Sequence, residues 1–371
     1  MTFEYQQKIE PIAAAIAAAA PETDKGVFPA KAIRALGDAG FLGLVSSKDV
    51  GGQGLGMDAA AFIVQRIARE CASTAMVVTM HYAAVAVLEA HGPIEVRKDV
   101  AAGKHLSTLA FSEIGSRSQF WAPVGTATAD GTYVKLDAKK SMVTSATNAD
   151  SYVWTSKPLA GGELSTLWLV PRKTAGLHAP GNFDGLGLRG NDSSPVTAEG
   201  ARIPQTAMLG ADGAGFGIMM SVVLPWFNVL SAAVSCGIME AATAKTAAHA
   251  GANKFAHAGS SIAELPTVRA FIARMQIQTD MSKTLLADTL AAIAGGRADA
   301  TLRVLESKAA TGESSAMVTD LAMRVCGGAA FRKEVGIERI FRDSRASLVM
   351  GPTTDVLYDF IGKAVTGLPL F

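Results

Sequence analysis

The chain has 371 residues, 34 Lys and Arg against 33 Asp and Glu, a formal net charge of +1 and 49% hydrophobic residues. Such a length supports a large core in two or three structural units, and so even a charge balance offers no field to draw in nucleic acid or an anionic membrane. Lys and Arg are scattered, without the aromatic-interleaved basic stripe of a nucleic-acid binder.

In chain order, the first block, residues 1–105, reads as helical. Ile12 to Ala20 is apolar but short, and Glu4, Glu10 and Pro11 stand ahead of it where a secretory signal would carry positive charge. Lys31 to Ala39 is an amphipathic stretch closed by Gly40, Asp58 to Arg69 has apolar residues at helical spacing, and a long helix starts at Ser73. No apolar run approaches the ~20 residues that span a bilayer; Ala72 to Leu88 is the longest and reads as a buried helix containing His81. The expectation is a cytoplasmic protein without a membrane partner.

The second block, residues 106–212, changes texture. Short runs such as Thr132–Leu136, Tyr152–Thr155 and Leu164–Val170 alternate with Gly, Pro, Asn and Asp clusters, the pattern of a β domain built from hairpins. The third block, residues 213–371, is helical again: Ile262 to Ala294 as one helix with Pro266 in its first turn, Ala300 to Val325 ended by Gly327-Gly328, and Thr354 to Val365. Helices, then strands, then helices make an α+β chain in segregated blocks.

Several motifs fail on inspection. Gly185-Leu-Gly187-Leu-Arg-Gly190 fits GxGxxG, but Asn191-Asp192-Ser193 follows instead of a helix, so it reads as a turn. The six His residues form no HxxxH, and Cys71, Cys236 and Cys326 are far apart, odd in number and without CxxC spacing. No metal site or disulfide framework is expected, and a reducing compartment suits the cysteines. No GxSxG elbow is present.

One family fits the block order and many short stretches together. Ala35-Leu-Gly-Asp38 with Gly40-Phe-Leu-Gly-Leu44, Gly51-Gly-Gln-Gly-Leu55 and Cys71-Ala-Ser-Thr-Ala75 resemble the first helices of acyl-CoA dehydrogenases. The run from Ser112-Glu113-Ile114-Gly115 to Ser118 is similar to the family's (T/S)EPGxGS loop, and Lys140-Ser-Met-Val-Thr144 to its K-x-W-I-T strand. Arg202-Ile-Pro204 with Leu209-Gly210, Cys326-Gly-Gly-Ala-Ala-Phe331 and Arg342-Asp343 continue the likeness nearly to the end.

The resemblance implies an N-terminal α-helical domain, a central β-barrel-like antiparallel domain and a C-terminal four-helix bundle. It implies FAD, in preference to FMN or free reduced flavin, and a homotetramer. Thr144 would contact flavin N5, Ser112 the ring edge, Met142 the ring face and Ser118 a phosphate. Phe255, Gly327 and Gly328 would reach the adenosine half from a neighbouring subunit, with Thr353 and Asp355 nearby. Ordinary strand and cap roles are the alternative for each. The substrate pocket would be walled by Met76, Met80, Trp226, Phe227, Met350 and Gly351.

Three departures bear on chemistry. Carried from Arg342-Asp343 without a gap, the family's catalytic Glu falls on Gly351. The family's D-x-x-R reads Pro225-Trp-Phe-Asn228, so the alternative Glu position, Phe227, lacks a carboxylate as well. Asp355, about one turn beyond Gly351, and His81 are the candidate bases. The family's R-x-x-F-G Arg falls on Ala252 or Asn253, with Lys254 adjacent. Three functions follow. The first is α,β-dehydrogenation of an acyl thioester with a displaced base. The second is a flavin monooxygenase or oxidase acting on a small molecule, whose oxygen chemistry needs no α-proton base. The third is a non-catalytic relative. Electron-transfer flavoprotein or a flavin reductase would be the redox partner.

Overall fold

A computed structural model describes residues 3–116, 119–162, 164–181 and 183–370. The chain divides into two compact units. One holds Met1–Ile63, Met76–Gly185 and Arg189–Phe227; the other holds Val64–Ala75, Leu186–Leu188 and Asn228–Phe371.

Among the described residues, five helices come first: α1 (Phe3–Thr23), α2 (Ala30–Asp38), α3 (Met57–Ala68), α4 (Ala72–His91) and α5 (Ile94–Ala101). In α1 the buried residues Ile9, Ala13, Ile16 and Ala20 recur at three- and four-residue intervals, the single apolar face of a surface helix. Gly40 ends α2 as the spacing predicts. With φ at 81°, it lets the Phe41 amide reach back to Leu36 O (2.8 Å) and its own amide to Gly37 O (2.9 Å), a Schellman closure with Leu36 and Phe41 both buried. Helix α4 is apolar all round, and 83% of its apolar window is buried.

The described residues then form eight strands: β1 (Ser107–Ala110), β2 (Thr126–Asp130), β3 (Tyr133–Val143), β4 (Ser151–Ser156), β5 (Thr166–Pro171), β6 (Leu177–His178), β7 (Ser194–Pro204) and β8 (Met208–Leu209). They form two four-stranded sheets, ordered β1-β4-β5-β8 and β2-β3-β7-β6. Both sheets contribute to one buried cluster that includes Trp154, Trp168, Val134, Leu136, Val196 and Ile203. Among the described residues five of the six pairings are antiparallel, but two of those join non-consecutive strands and β1 runs parallel to β4, so hairpins alone do not describe this region. Strand β3 alternates exposed and buried residues until its register against β7 shifts between Lys140 and Val143.

The helical remainder runs α6 (Gly215–Ile218), α7 (Leu224–Ala252), α8 (Pro266–Ala294), α9 (Ala300–Cys326), α10 (Ile337–Ser344), α11 (Ala346–Val349) and α12 (Thr354–Thr366). The expected single helix from Ile262 is instead a short 3-10 turn, Ile262–Glu264, capped by Ser261 and Glu264, followed by α8. Leu265 is extended between them, because the ring of Pro266 disfavours helical backbone at the preceding residue. Gly215–Ala252 is a second stretch apolar and long enough to cross a bilayer, contrary to the expectation that none exists; its apolar window is also 83% buried.

Candidate active site

The loop after β1 and the far end of β3 are joined by a buried ion pair. Lys140 Nζ lies 2.5 Å from Glu113 Oε1, with the two side chains 0% and 2% exposed. Glu113 Oε2 accepts from the amides of Val124 and Gly125, both at 2.6 Å. Lys140 also donates to Thr155 O (2.8 Å) and Thr155 Oγ1 (2.7 Å) and sits over the Trp154 ring. Every strong acceptor and donor of the pair is therefore used, which is what makes burial of two charges tolerable. Burial pushes the Lys140 ammonium down to about 8, against the opposing pull of Glu113. Two backbone bonds finish the splice: Ser141 N to Ser112 O (2.8 Å) and Ile114 N to Lys139 O (3.1 Å). Ser112 is thus brought beside Ser141.

Immediately beyond, the register shift turns Met142 outward. It is 55% exposed, whereas Val143 and Thr144 are buried. Thr144 Oγ1 lies 3.1 Å from Ser193 Oγ. Asp192 clamps the following turn, its Oδ2 accepting from Thr147 N (2.7 Å), Thr147 Oγ1 (2.9 Å) and Asn148 Nδ2 (2.8 Å). The residues after the failed GxGxxG pattern thus support the strand end that carries Thr144. The glycines of that pattern have packing reasons: a side chain at Gly187 would meet Arg342 O, and one at Gly190 would meet Thr23. Ser118 lies outside the described residues.

In the other unit, Gly327 and Gly328 are exposed, and a Cβ built on either would meet no atom within 4 Å. They lead to Phe331, which is 79% exposed. Phe255 is half-buried, its ring 5.8 Å from that of His257. Asn253 is exposed and bonds His249 O.

The segment at the expected base position is held from below. Lys308, on the core face of α9, is 1% exposed and donates to Pro352 O (2.7 Å), Met350 O (3.1 Å) and Ser347 O (3.4 Å). Burial pushes its ammonium down to about 7, while three carbonyl oxygens favour the charged form. Met350 and Gly351 are half-buried. Thr353 caps α12, its Oγ1 accepting from Val356 N (3.4 Å), and Asp355 is exposed in the first turn. Asp343 Oδ1 accepts from Leu188 N (2.7 Å), and Arg342 donates to Leu186 O (3.0 Å).

His81 is fully buried and fully engaged. Nε2 bonds Leu42 O (3.0 Å) and Nδ1 accepts from Ser107 N (3.2 Å), while burial lowers its pKa to about 4. A neutral ring with both nitrogens occupied ties α4 to its neighbours and has no lone pair to offer a substrate. On α4, Met76 is buried and Met80 half-buried; at the start of α7, Trp226 is half-buried and Phe227 buried.

Lys308, Glu113, Asp192 and Ser193 carry structural roles that motif reading missed. For Lys308 a signal existed: it stands four residues after Val304 and four before Gly312, on the buried face of α9. Among the described residues no group of His, Cys, Asp and Glu could hold a metal ion. Within the first unit, the outward thioether at Met142 beside the hydroxyl at Thr144 fits a large flat cofactor with polar edges.

Comparison with known proteins agrees. Residues 5–103 match the acyl-CoA dehydrogenase N-terminal domain, and residues 213–366 match the acyl-CoA dehydrogenase C-terminal domain. Short-chain specific acyl-CoA dehydrogenase of Bos taurus is 28% identical over 89% of this chain and 81% of its own length. The L-prolyl-[peptidyl-carrier protein] dehydrogenase of Pseudomonas fluorescens is 27% identical over 91% of this chain and 90% of its own. Butyryl-CoA dehydrogenase from Megasphaera elsdenii superimposes with a TM-score of 0.90 at 20% identity, covering 99% of both chains. With helices, paired sheets and helices in the same order, and both domain models spanning the helical blocks, the chain belongs to the acyl-CoA dehydrogenase family and is an acyl-CoA dehydrogenase-like oxidoreductase.

Proposed function

We propose that the chain binds FAD and oxidises the α,β bond of an acyl thioester, using a base other than the residue at position 351. The observation that supports this most directly is the strand end at Met142 and Thr144. Its geometry is held by the Glu113–Lys140 pair, in a chain whose relatives are dehydrogenases of acyl thioesters. FAD, once bound, supplies the acceptor for the hydride leaving the β carbon.

The chain's own residues supply the rest. Met142 offers a polarisable contact for the ring face and Thr144 a hydroxyl at its edge. Ser112, whose carbonyl accepts from Ser141 N, offers a second polar group close to that strand end. The α proton needs a base within hydrogen-bond reach. Gly351 has none, and His81 is neutral with both nitrogens bonded. Asp355, an exposed carboxylate in the first turn of α12, is the candidate that remains. Electron-transfer flavoprotein would then take the electrons.

Gly351 also favours a second reading, oxygenation or oxidation of a small molecule with a flavin reductase as partner, because that chemistry needs no base at the α carbon. Anaerobic mixing of the purified flavoprotein with short acyl-CoAs and with an acyl group on a carrier-protein thioester separates the two. Bleaching of the flavin band by any thioester supports dehydrogenation. No bleaching, with oxygen uptake once a reductant and a small nucleophilic substrate are added, supports the second.

A further inference from the structure

We propose that Lys308 is a positioning residue for the substrate-side turn Ser347–Pro352, its ammonium setting the backbone on both sides of Gly351. The role rests on the dehydrogenase reading only in that this turn faces substrate; the geometry stands without it.

Helix α11 ends at Val349, leaving the carbonyls of its last turn without helical partners, and α12 begins only at Thr354. Between them the carbonyls of Ser347, Met350 and Pro352 all converge on Lys308 Nζ. A lysine ammonium has three donors, so one buried group can satisfy three acceptors that no local turn closes.

The same face of α9 carries a seam of further attachments, spaced four, four and three residues apart. Lys308 is followed by Gly312, where a Cβ would lie 3.4 Å from Ser347 Oγ. Next comes Ala316, whose carbonyl accepts from Arg345 (3.2 Å), and then Thr319, whose Oγ1 meets Ser344 Oγ (2.9 Å). The seam holds α10 and α11 at several points, whereas the bonds to Met350 O and Pro352 O come from Lys308. Loss of Lys308 should therefore release residues 350–353 while leaving α10 in place. An isolated structural prop would instead loosen the whole bundle.

Amide exchange on the purified holoprotein, followed by mass spectrometry, tests this. Lys308→Met should speed exchange in a peptide covering residues 346–353 by about tenfold or more, with peptides from α8 unchanged. Lys308→Arg keeps the charge but not the three-way geometry, and should lie between. Wild-type exchange at 346–353 in Lys308→Met, or a uniform rise across α8 and α9, overturns the proposal. Should Lys308→Met fail to fold, the same comparison is read on Lys308→Arg: a rise confined to 346–353 supports the role, and no rise or a uniform one overturns it.

The functional arm uses an acyl-CoA that bleaches the wild-type flavin. There, Lys308→Met should raise KM several-fold more than it lowers the amount of bound flavin, and equal losses of both overturn the substrate-side role. If no thioester bleaches the wild type, the dehydrogenase reading falls, and the exchange result still decides the turn.

Discussion

Glu113 and Lys140 stand 27 positions apart in sequence yet form a buried pair at 2.5 Å that splices the loop after β1 onto the end of β3. Lys140→Met should strand the Glu113 carboxylate among two amides and cost roughly 3–5 kcal/mol in urea denaturation. The double variant Lys140→Met with Glu113→Gln should recover part of that loss, and it should still hold flavin less tightly, because the splice is gone. Equal stability of wild type and Lys140→Met would contradict the burial of the pair.

Stability should fall as the pH drops from about 6.5 towards 4, partly through His81. Its folded pKa of about 4 lies below the ordinary histidine value, so the unfolded chain takes up a proton in that window and the folded chain does not. The stability contributed is present above the unfolded value and is lost on acidification, to a limit on the order of 3 kcal/mol. Denaturation midpoints measured at pH 7, 6, 5 and 4 should show a shallower slope in His81→Gln than in wild type. Parallel slopes would mean that other groups dominate.

Gly351→Glu should create or raise flavin reduction by a short acyl-CoA, because the gapless match from Arg342 onward puts residue 351 at the family's base position. A carboxylate beside Met350 would sit in a half-buried setting that raises its pKa towards neutrality. The gain could reach the ~10²–10⁴-fold range of general-base catalysis. Stopped-flow bleaching measures it, and equal rates in both proteins would show that position 351 does not face the α carbon. In the same assay, Asp355→Asn should slow the wild type if Asp355 is the displaced base.

Thr353→Ala should remove the cap of α12 and cost about 0.5–2 kcal/mol by thermal or urea unfolding. The bond at stake is Val356 N to Thr353 Oγ1 at 3.4 Å. Because α12 packs on α9, the loss should also be seen as faster amide exchange in 354–358. No change in either measurement would assign the start of this helix to packing alone.

We expect the protein to be a tetramer in solution. Ile277 and Met281, one helical turn apart on α8, are 56% and 60% exposed, and Phe331 is 79% exposed. Sedimentation at micromolar concentration should give the tetramer, and Ile277→Lys with Met281→Lys a smaller species. A wild-type monomer would refute the expectation.

Periodicity and caps made the secondary structure readable. Helix ends at Gly40, Gly327 and Thr353, the alternation along β3, and the order of blocks all arise from sterics and hydrogen bonds within a few residues. So do the positions that resemble the family's loops, because each is a short string with its own turn chemistry. The break before Pro266 was just as local, and the apolar pattern alone concealed it. What could not be read is who meets whom. The parallel pairing of Ser107 with Ser151 requires a long crossover, and the three carbonyls on Lys308 lie as far as 44 residues from it. A lysine on an apolar helix face is visible in the string of residues as an anomaly. Only closure of the chain over that distance turns it into a three-way clamp beneath Gly351, because burial removes the water that would otherwise satisfy both the ammonium and the carbonyls.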